Sequence, residues 1–216
     1  GLTAEDLYLN EKLAFGFNYV DASLNIGHTK DQQGEHGSHV AGIATANRFI
    51  PTENGYTDAV EAVYAAGAAP DAQLITMKVF GKLGGAYESD YMAAIEDAII
   101  LGCDAANLSL GSGNPGRSRS STEEFQAIME RLADTGVVVS ISAGNSGHWA
   151  EASFPGLLYA DDVSMHTGGS PGSFTNSLGV ASVDNDGKVG LYFTVGDLMV
   201  VYNETLEGQS GKYSNL

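Results

Sequence analysis

The run His36-Gly37-Ser38-His39-Val40-Ala41-Gly42-Ile43 decides how this chain is read. It sets a histidine on the first turn of a helix built almost wholly from small and apolar residues. Val40, Ala41, Ile43 and Ala44 predict a buried helix, and Gly37 and Gly42 permit a neighbouring backbone to approach closely. An imidazole at the start of such a helix faces a cleft from a rigid platform, as a general base must. The residues alone leave two rivals. One is a buried helix whose histidines only hydrogen-bond internally. The other is a metal pair, since His36 and His39 are spaced i, i+3 with His28 nearby. Zinc normally takes a third ligand, usually a carboxylate or cysteine, and Glu35 precedes the helix rather than sharing its face, so no metal site is assigned.

Working outward, Leu13 to Val20 is aromatic-rich and strand-like, and a polar loop through Gln33 delivers His36. Residues 47–60 read as a mixed loop with Pro51, Asn54 and Gly55 as turn formers. Leu74 to Phe80 is a nearly continuous apolar run suited to a buried parallel strand. Met92, Ile95 and Ile99 recur at i, i+3 and i+7, predicting an amphipathic helix that ends at Gly102. Ala105 to Leu110 is a second strand. Ser121-Thr122-Glu123-Glu124 has capping-box spacing, and Phe125, Ile128, Met129 and Leu132 form the core stripe of the next helix. Gly136 closes that helix, and Val137 to Ser142 is a third buried strand. Alternating strands and helices with glycine-rich tips predict an α/β fold of consecutive right-handed βαβ units. In such sheets ligands sit beyond the carboxyl ends of the strands. The pattern becomes irregular past Trp149 and recovers at Val180 to Val183. From Gly187 it reads as all-β, with Leu191–Val195 and Leu198–Tyr202 flanking Gly196-Asp197.

Composition excludes several classes. With 43% hydrophobic residues, 216 residues suffice for one domain with a substantial core and a piece of another. A net charge of −17, from 27 acidic and 10 basic residues, argues against nucleic acid or an anionic membrane as partner. The single cysteine, Cys103, excludes an internal disulfide framework and a multi-cysteine metal site. No apolar run reaches the roughly 18 residues a membrane span needs, and no secretory leader opens the chain.

Two further motifs lie at strand ends, Ser109-Leu110-Gly111 and Ser142-Ala143-Gly144-Asn145-Ser146-Gly147. With the histidine motif, in this order over residues 13–185, the chain resembles the subtilisin-like serine peptidases, the subtilases. That resemblance implies a three-layer fold, a mostly parallel sheet with helices on both faces, here incomplete. Serine-nucleophile hydrolysis needs a base beside the hydroxyl, a carboxylate to orient the base, and donors for the oxyanion. The resemblance makes His36 the base, gives His39 the motif's second, structural position, and makes Asn145 a side-chain oxyanion donor. Ser109-Leu110-Gly111 resembles the segment that pairs with one side of an extended peptide substrate, and Gly84-Gly85-Ala86 matches the other side in position. The primary pocket is expected between Ser109-Leu110-Gly111 and Ala143-Gly144-Asn145, with Ser146 and Gly169 toward its base. Neither of those carries charge, so the pocket is expected to be uncharged and roomy. The implied partner is a peptide or protein substrate, and the implied location extracellular or on the cell envelope. No cofactor is identifiable. Calcium is implied by family resemblance alone, since no ligand loop is legible.

Departures from the family pattern matter equally. The catalytic aspartate belongs in an Asp-Ser/Thr-Gly context upstream of the histidine, and none of the 35 residues before His36 shows one. Asp21, followed by Ala22-Ser23, reads as a turn residue. The serine motif Gly-Thr-Ser-Met-Ala is also absent, and Ser210 in Gly208-Gln209-Ser210-Gly211 precedes no helical pattern. The tail resembles the opening of the protease-associated insert of lactocepin-like cell-envelope members. The expected division is therefore 1–186 as a partial peptidase domain and 187–216 as a β-rich tail. A catalytic piece whose Asp and Ser motifs lie in flanking sequence is expected, and uncovered sheet edges would favour self-association of that piece. An inactive peptide-binding or regulatory module with the same fold is the alternative. Finally, Gly111-Ser112-Gly113-Asn114-Pro115-Gly116 satisfies the dinucleotide pattern G-x-G-x-x-G, but Pro115 and the polar stretch after it open no helix, and no acid ends the next strand.

Overall fold

The computed structural model describes residues 3–63, 65–115, 123–145, 169–174, 176–183 and 191–202. Among the sequence expectations, Ser121, Thr122, Ser146, residues 150–168 of the irregular stretch past Trp149, and Ser210 lie outside these residues. In chain order the elements are α1 (Ala4–Leu7), β1 (Leu13–Asn18), α2 (His36–Thr45), β2 (Phe49–Thr52), β3 (Gly55–Asp58), α3 (Ala59–Val63), β4 (Leu74–Lys78) and α4 (Glu88–Ile100). They continue with β5 (Ala105–Leu108), β6 (Ser112–Pro115), α5 (Glu123–Thr135), β7 (Val138–Ser142), β8 (Gly169–Ser170), β9 (Leu178–Val180), β10 (Leu191–Val195) and β11 (Leu198–Tyr202). The chain divides into two compact units, Gly1–Val180 and Ala181–Leu216.

The first unit is α/β with parallel strands. β1 pairs in parallel with β4, from Leu13 opposite Leu74 to Asn18 opposite Lys78. β7 lies between β5 and β9, parallel to both. Against the second group pack α4 and α5. Their buried stripe contributes Ile95, Ile128, Met129 and Leu132, and the strands contribute Leu108, Val139 and Ile141. Met129 and Ile141 are fully shielded. Burial of such side chains contributes about 1.5–3 kcal/mol each, so this cluster is the stabilising centre of the unit. α4 also reaches the first group. The Tyr19 hydroxyl, just past β1, donates to Asp97 Oδ2 at 2.7 Å. Burial and the adjacent Asp97 carboxylate push the Tyr19 phenol far above its usual range, which keeps it a neutral donor.

Helix ends follow the glycine signals. Gly102 (φ +72°) and Gly136 (φ +76°) adopt the left-handed conformation after α4 and α5. In contrast, the strands stop two residues short of their apolar runs, at Asn18, Lys78 and Leu108 rather than Val20, Phe80 and Leu110. Apolar character persists past the last paired residue because the chain still packs there. Val79 is buried, and Leu110 lies against the core cluster.

Two expectations are corrected. Residues 47–60 are not a loop: β2 and β3 pair antiparallel about Glu53-Asn54, with Gly55 at φ +128°, and Asp58 leads directly into α3. Short strands split by a two-residue turn leave too little periodicity to read, and the Arg48–Asp58 ion pair that closes the hairpin is a tertiary contact. The second correction concerns α2, which has no buried residue, Ile43 being 60% exposed. A composition rich in alanine and glycine shows that a helix can be approached closely, not that a described neighbour covers it. What does meet α2 is its own return segment: Gly67, Ala68 and Ala69 donate N–H groups to the carbonyls of Ala46, Ile43 and Ala44. A Cβ on Gly67 would lie 2.2 Å from the Ala46 nitrogen, so only glycine fits there.

The second unit holds the β10–β11 hairpin, in register from Leu191 opposite Tyr202 to Val195 opposite Leu198. Gly196 at φ +61° makes its two-residue turn with Asp197, at the place the sequence indicates.

Candidate active site

Four expected site segments follow the carboxyl ends of parallel strands, and Gly169 lies in β8. The connection after β1 carries His36, the one after β4 carries Gly84-Gly85-Ala86, Ser109-Leu110-Gly111 follows β5, and Ala143-Gly144-Asn145 follows β7. This is where α/β sheets place ligands, because strand ends there open into loops while helices cover the faces.

The Asn145 side of the site is compact. Ser142 Oγ donates to the Leu110 carbonyl at 3.0 Å, tying the ends of β7 and β5 together. Ala143 N–H donates to Val180, and Gly169 N–H donates to Ala143, both at 2.8 Å. β8 also pairs antiparallel with β6, Gly169 opposite Pro115 and Ser170 opposite Ser112. Buried Gly169 thus lies beside Gly144, whose φ of +99° excludes most other residues. A Cβ on Gly111 would meet the Ser170 carbonyl oxygen at 3.3 Å. The structure therefore brings together Ser109-Leu110-Gly111, Ala143-Gly144-Asn145 and Gly169. Asn145 itself is exposed just past the end of β7. Residues 112–115 form strand β6, not the start of a helix, so the G-x-G-x-x-G run lacks the geometry that cradles a pyrophosphate.

The His36 side is built from polar bonds. His36 opens α2 and is exposed, its N–H donating to the Gln33 carbonyl at 3.1 Å. His39 is exposed as well. His28 Nε2 lies 3.1 Å from Ser38 Oγ, so its ring is engaged by a hydroxyl of the first turn of α2. The segment before His36 is joined to the substrate-strand candidate: Gln33 Nε2 donates to the Gly84 carbonyl at 2.8 Å, and Gln32 N–H donates to Lys82 at 3.0 Å. Of Gly84-Gly85-Ala86, the Gly85 carbonyl also accepts from Gly81 N–H at 3.1 Å.

Asp21 occupies the turn assigned to it. Its carboxylate accepts from the buried Asn18 amide at 2.9 Å, and its N–H donates to Asn18 Oδ1 at 3.1 Å. Sequence reading passes over Lys78, whose ammonium pairs with Asp31 in the loop before His36. The available signal was a lysine interrupting the apolar run Leu74–Phe80.

These segments leave the carboxyl ends of parallel strands in an α/β fold. The subtilase family model matches residues 3–215, and the chain belongs to the subtilase family. It is 34% identical over 200 residues to the PI-type proteinase of Lactococcus lactis subsp. cremoris, covering 88% of this chain and 10% of that protein. It is 33% identical over 183 residues to the C5a peptidase of Streptococcus pyogenes serotype M6, covering 83% of this chain and 14% of that protein. Among solved structures, a cold adapted subtilisin-like serine proteinase superposes with a TM-score of 0.42 at 22% identity, covering 63% of this chain and 41% of that one. The chain spans about a tenth of the length of the curated relatives it matches first. Among the described residues, no helix is long and apolar enough to cross a membrane.

Proposed function

We propose that this chain is part of a serine endopeptidase that hydrolyses peptide bonds through a Ser-His-Asp triad, supplying the base His36 and the oxyanion donor Asn145. The observation that carries this is positional. In a member of the subtilase family, His36, Gly84–Ala86, Ser109–Gly111 and Ala143–Asn145 all leave the carboxyl ends of parallel strands. His36 would take the proton of the attacking serine and return it to the leaving amine, and the Asn145 amide would bond the oxyanion as charge develops. Gly84-Gly85-Ala86 and Ser109-Leu110-Gly111 would hold an extended peptide between them by main-chain bonds, leaving selectivity to pockets. Buried Gly169 beside Gly144 suits the base of an uncharged primary pocket. The same reading takes residues 1–186 as a partial peptidase domain and 187–216 as the opening of a protease-associated insert. It implies an extracellular or cell-envelope location, with calcium an open family trait. In the full protein that carries this chain, peptide turnover abolished by His36→Ala with unchanged folding supports the proposal. Turnover that survives His36→Ala sinks it.

A second reading rests on a specific observation. Neither an Asp-Ser/Thr-Gly motif before His36 nor a Gly-Thr-Ser-Met-Ala motif after Asn145 occurs in the 216 residues. A peptide-binding module that keeps the strand-pairing groove without chemistry accounts for that. Peptide binding without turnover by the full protein, with no such motifs in its remaining sequence, selects this module.

A further inference from the structure

The loop that delivers His36 has no strand ladder to hold it: residues 24–35 contain only turns and irregular backbone. Yet this loop is fixed to the β4–α4 connection at three places. Lys78, the last residue of β4, is held by the sheet opposite Asn18, and its ammonium pairs with Asp31 Oδ2, the side chains being only 13% and 12% exposed. Gln32 N–H bonds the Lys82 carbonyl and Gln33 Nε2 bonds the Gly84 carbonyl, at 3.0 and 2.8 Å. Gly84 sits at φ +76°, and a Cβ there would lie 3.1 Å from Gln32 Cβ and Oε1, so the Gln32 side chain packs directly on this glycine.

We propose that Asp31, Lys78 and Gln33 are positioning residues, a clamp that sets His36 in register with the Gly84–Ala86 segment. This rests on the peptidase reading above and deepens it, since it assigns what aligns the base with the bound peptide. A largely buried ion pair is weak evidence for stability, because desolvation offsets most of its attraction and an apolar pair of similar volume often serves as well. Such a pair does impose one register. Here the register couples residues 31–33, just before the proposed base, to the Gly84–Ala86 segment that would hold the substrate. Catalytic geometry is sensitive to that coupling, a displacement of ~1 Å costing about 10²-fold.

The test uses the full protein, with His36→Ala as reference. Lys78→Met leaves Asp31 uncompensated, whereas the double variant Asp31→Asn/Lys78→Met removes both charges and keeps the volume. The double variant is expected to recover the melting temperature that Lys78→Met loses, yet to keep kcat about 10–100-fold down. Gln33→Ala, at an exposed side chain, is expected to raise KM several-fold at an unchanged melting temperature. Wild-type kcat and KM in both the double variant and Gln33→Ala overturn the clamp while leaving the peptidase reading intact. Turnover that survives His36→Ala overturns the reading instead. Hydrogen exchange on the full protein gives an activity-independent arm. Lys78→Met should speed exchange at Gln32 and Gly84 together, with Val139 and Ile141 unchanged. Continued protection at Gln32 and Gly84 overturns the clamp.

Discussion

Around Asn145 the chain is held by apolar packing, whereas around His36 it is held by polar bonds. β5 and β7 rest on a cluster in which Met129 and Ile141 are fully shielded, and the ends of those strands are laced by Ser142, Ala143 and Gly169. α2 has no buried residue, and its approach is tied by Gln33, Gln32 and the Asp31–Lys78 pair. The two regions share one sheet-edge logic and one family signature, but they differ in what disturbs them. Apolar packing is non-directional and tolerates small shifts, while hydrogen bonds and ion pairs specify distance and angle. The proposed base His36, which would have to move a proton over a fixed distance, is approached by the directional kind.

The largest effect that would test this contrast is chemical. In the full protein His36→Ala should cost roughly 10⁶-fold in kcat, the scale seen when a triad histidine is removed from a subtilisin, with thermal unfolding unchanged because the side chain is exposed. A large fall in melting temperature would mean that α2 is more deeply integrated than the described contacts indicate. Next comes the core. Met129→Ala should lower unfolding free energy by up to about 5 kcal/mol, read from denaturant midpoints, since the side chain is wholly enclosed. A loss near zero would break the claim that this cluster carries the unit.

Asn145→Ala should reduce kcat by about 10²–10³-fold with little change in KM, because its donor would act on charge present only in the transition state. A raised KM at constant kcat would instead make Asn145 a substrate-binding residue. Smallest are the changes on α2. His39→Ala and Ile43→Ala should each move stability by no more than about 0.5 kcal/mol in this chain, as expected for exposed positions. In the full protein a markedly larger cost for Ile43→Ala would show that a segment outside the described residues covers this helix. Comparing the two contexts thus measures how much of the His36 side is completed by sequence beyond this chain.

Much of this was legible beforehand because it is local. Periodicity located the α4 and α5 stripes, glycine marked their ends, and the apolar runs located β1, β4, β5 and β7. The β10–β11 turn could be read from Gly196-Asp197 alone. The motif residues His36, Ser109–Gly111 and Ala143–Asn145 identified the family, and the family model agrees. What could not be read was pairing across distance. Lys78 meeting Asp31, Tyr19 meeting Asp97, and the closure of β2 on β3 join residues whose types carry no address for their partners. The burial of α2 was misjudged for the same reason, since composition reports what a helix tolerates and only packing decides what covers it.

By itself the sequence determined the family, the α/β alternation and the identity of the motif residues. Each of these is encoded in short-range spacing, through the geometry of a helical turn or a pleated strand. Tertiary structure alone decided that the Gly84 turn reaches the loop before His36, that Gly169 closes on Gly144, and that α4 links the two strand groups through Asp97. Those contacts are set by where the sheet carries distant strand ends. No local propensity contains that information.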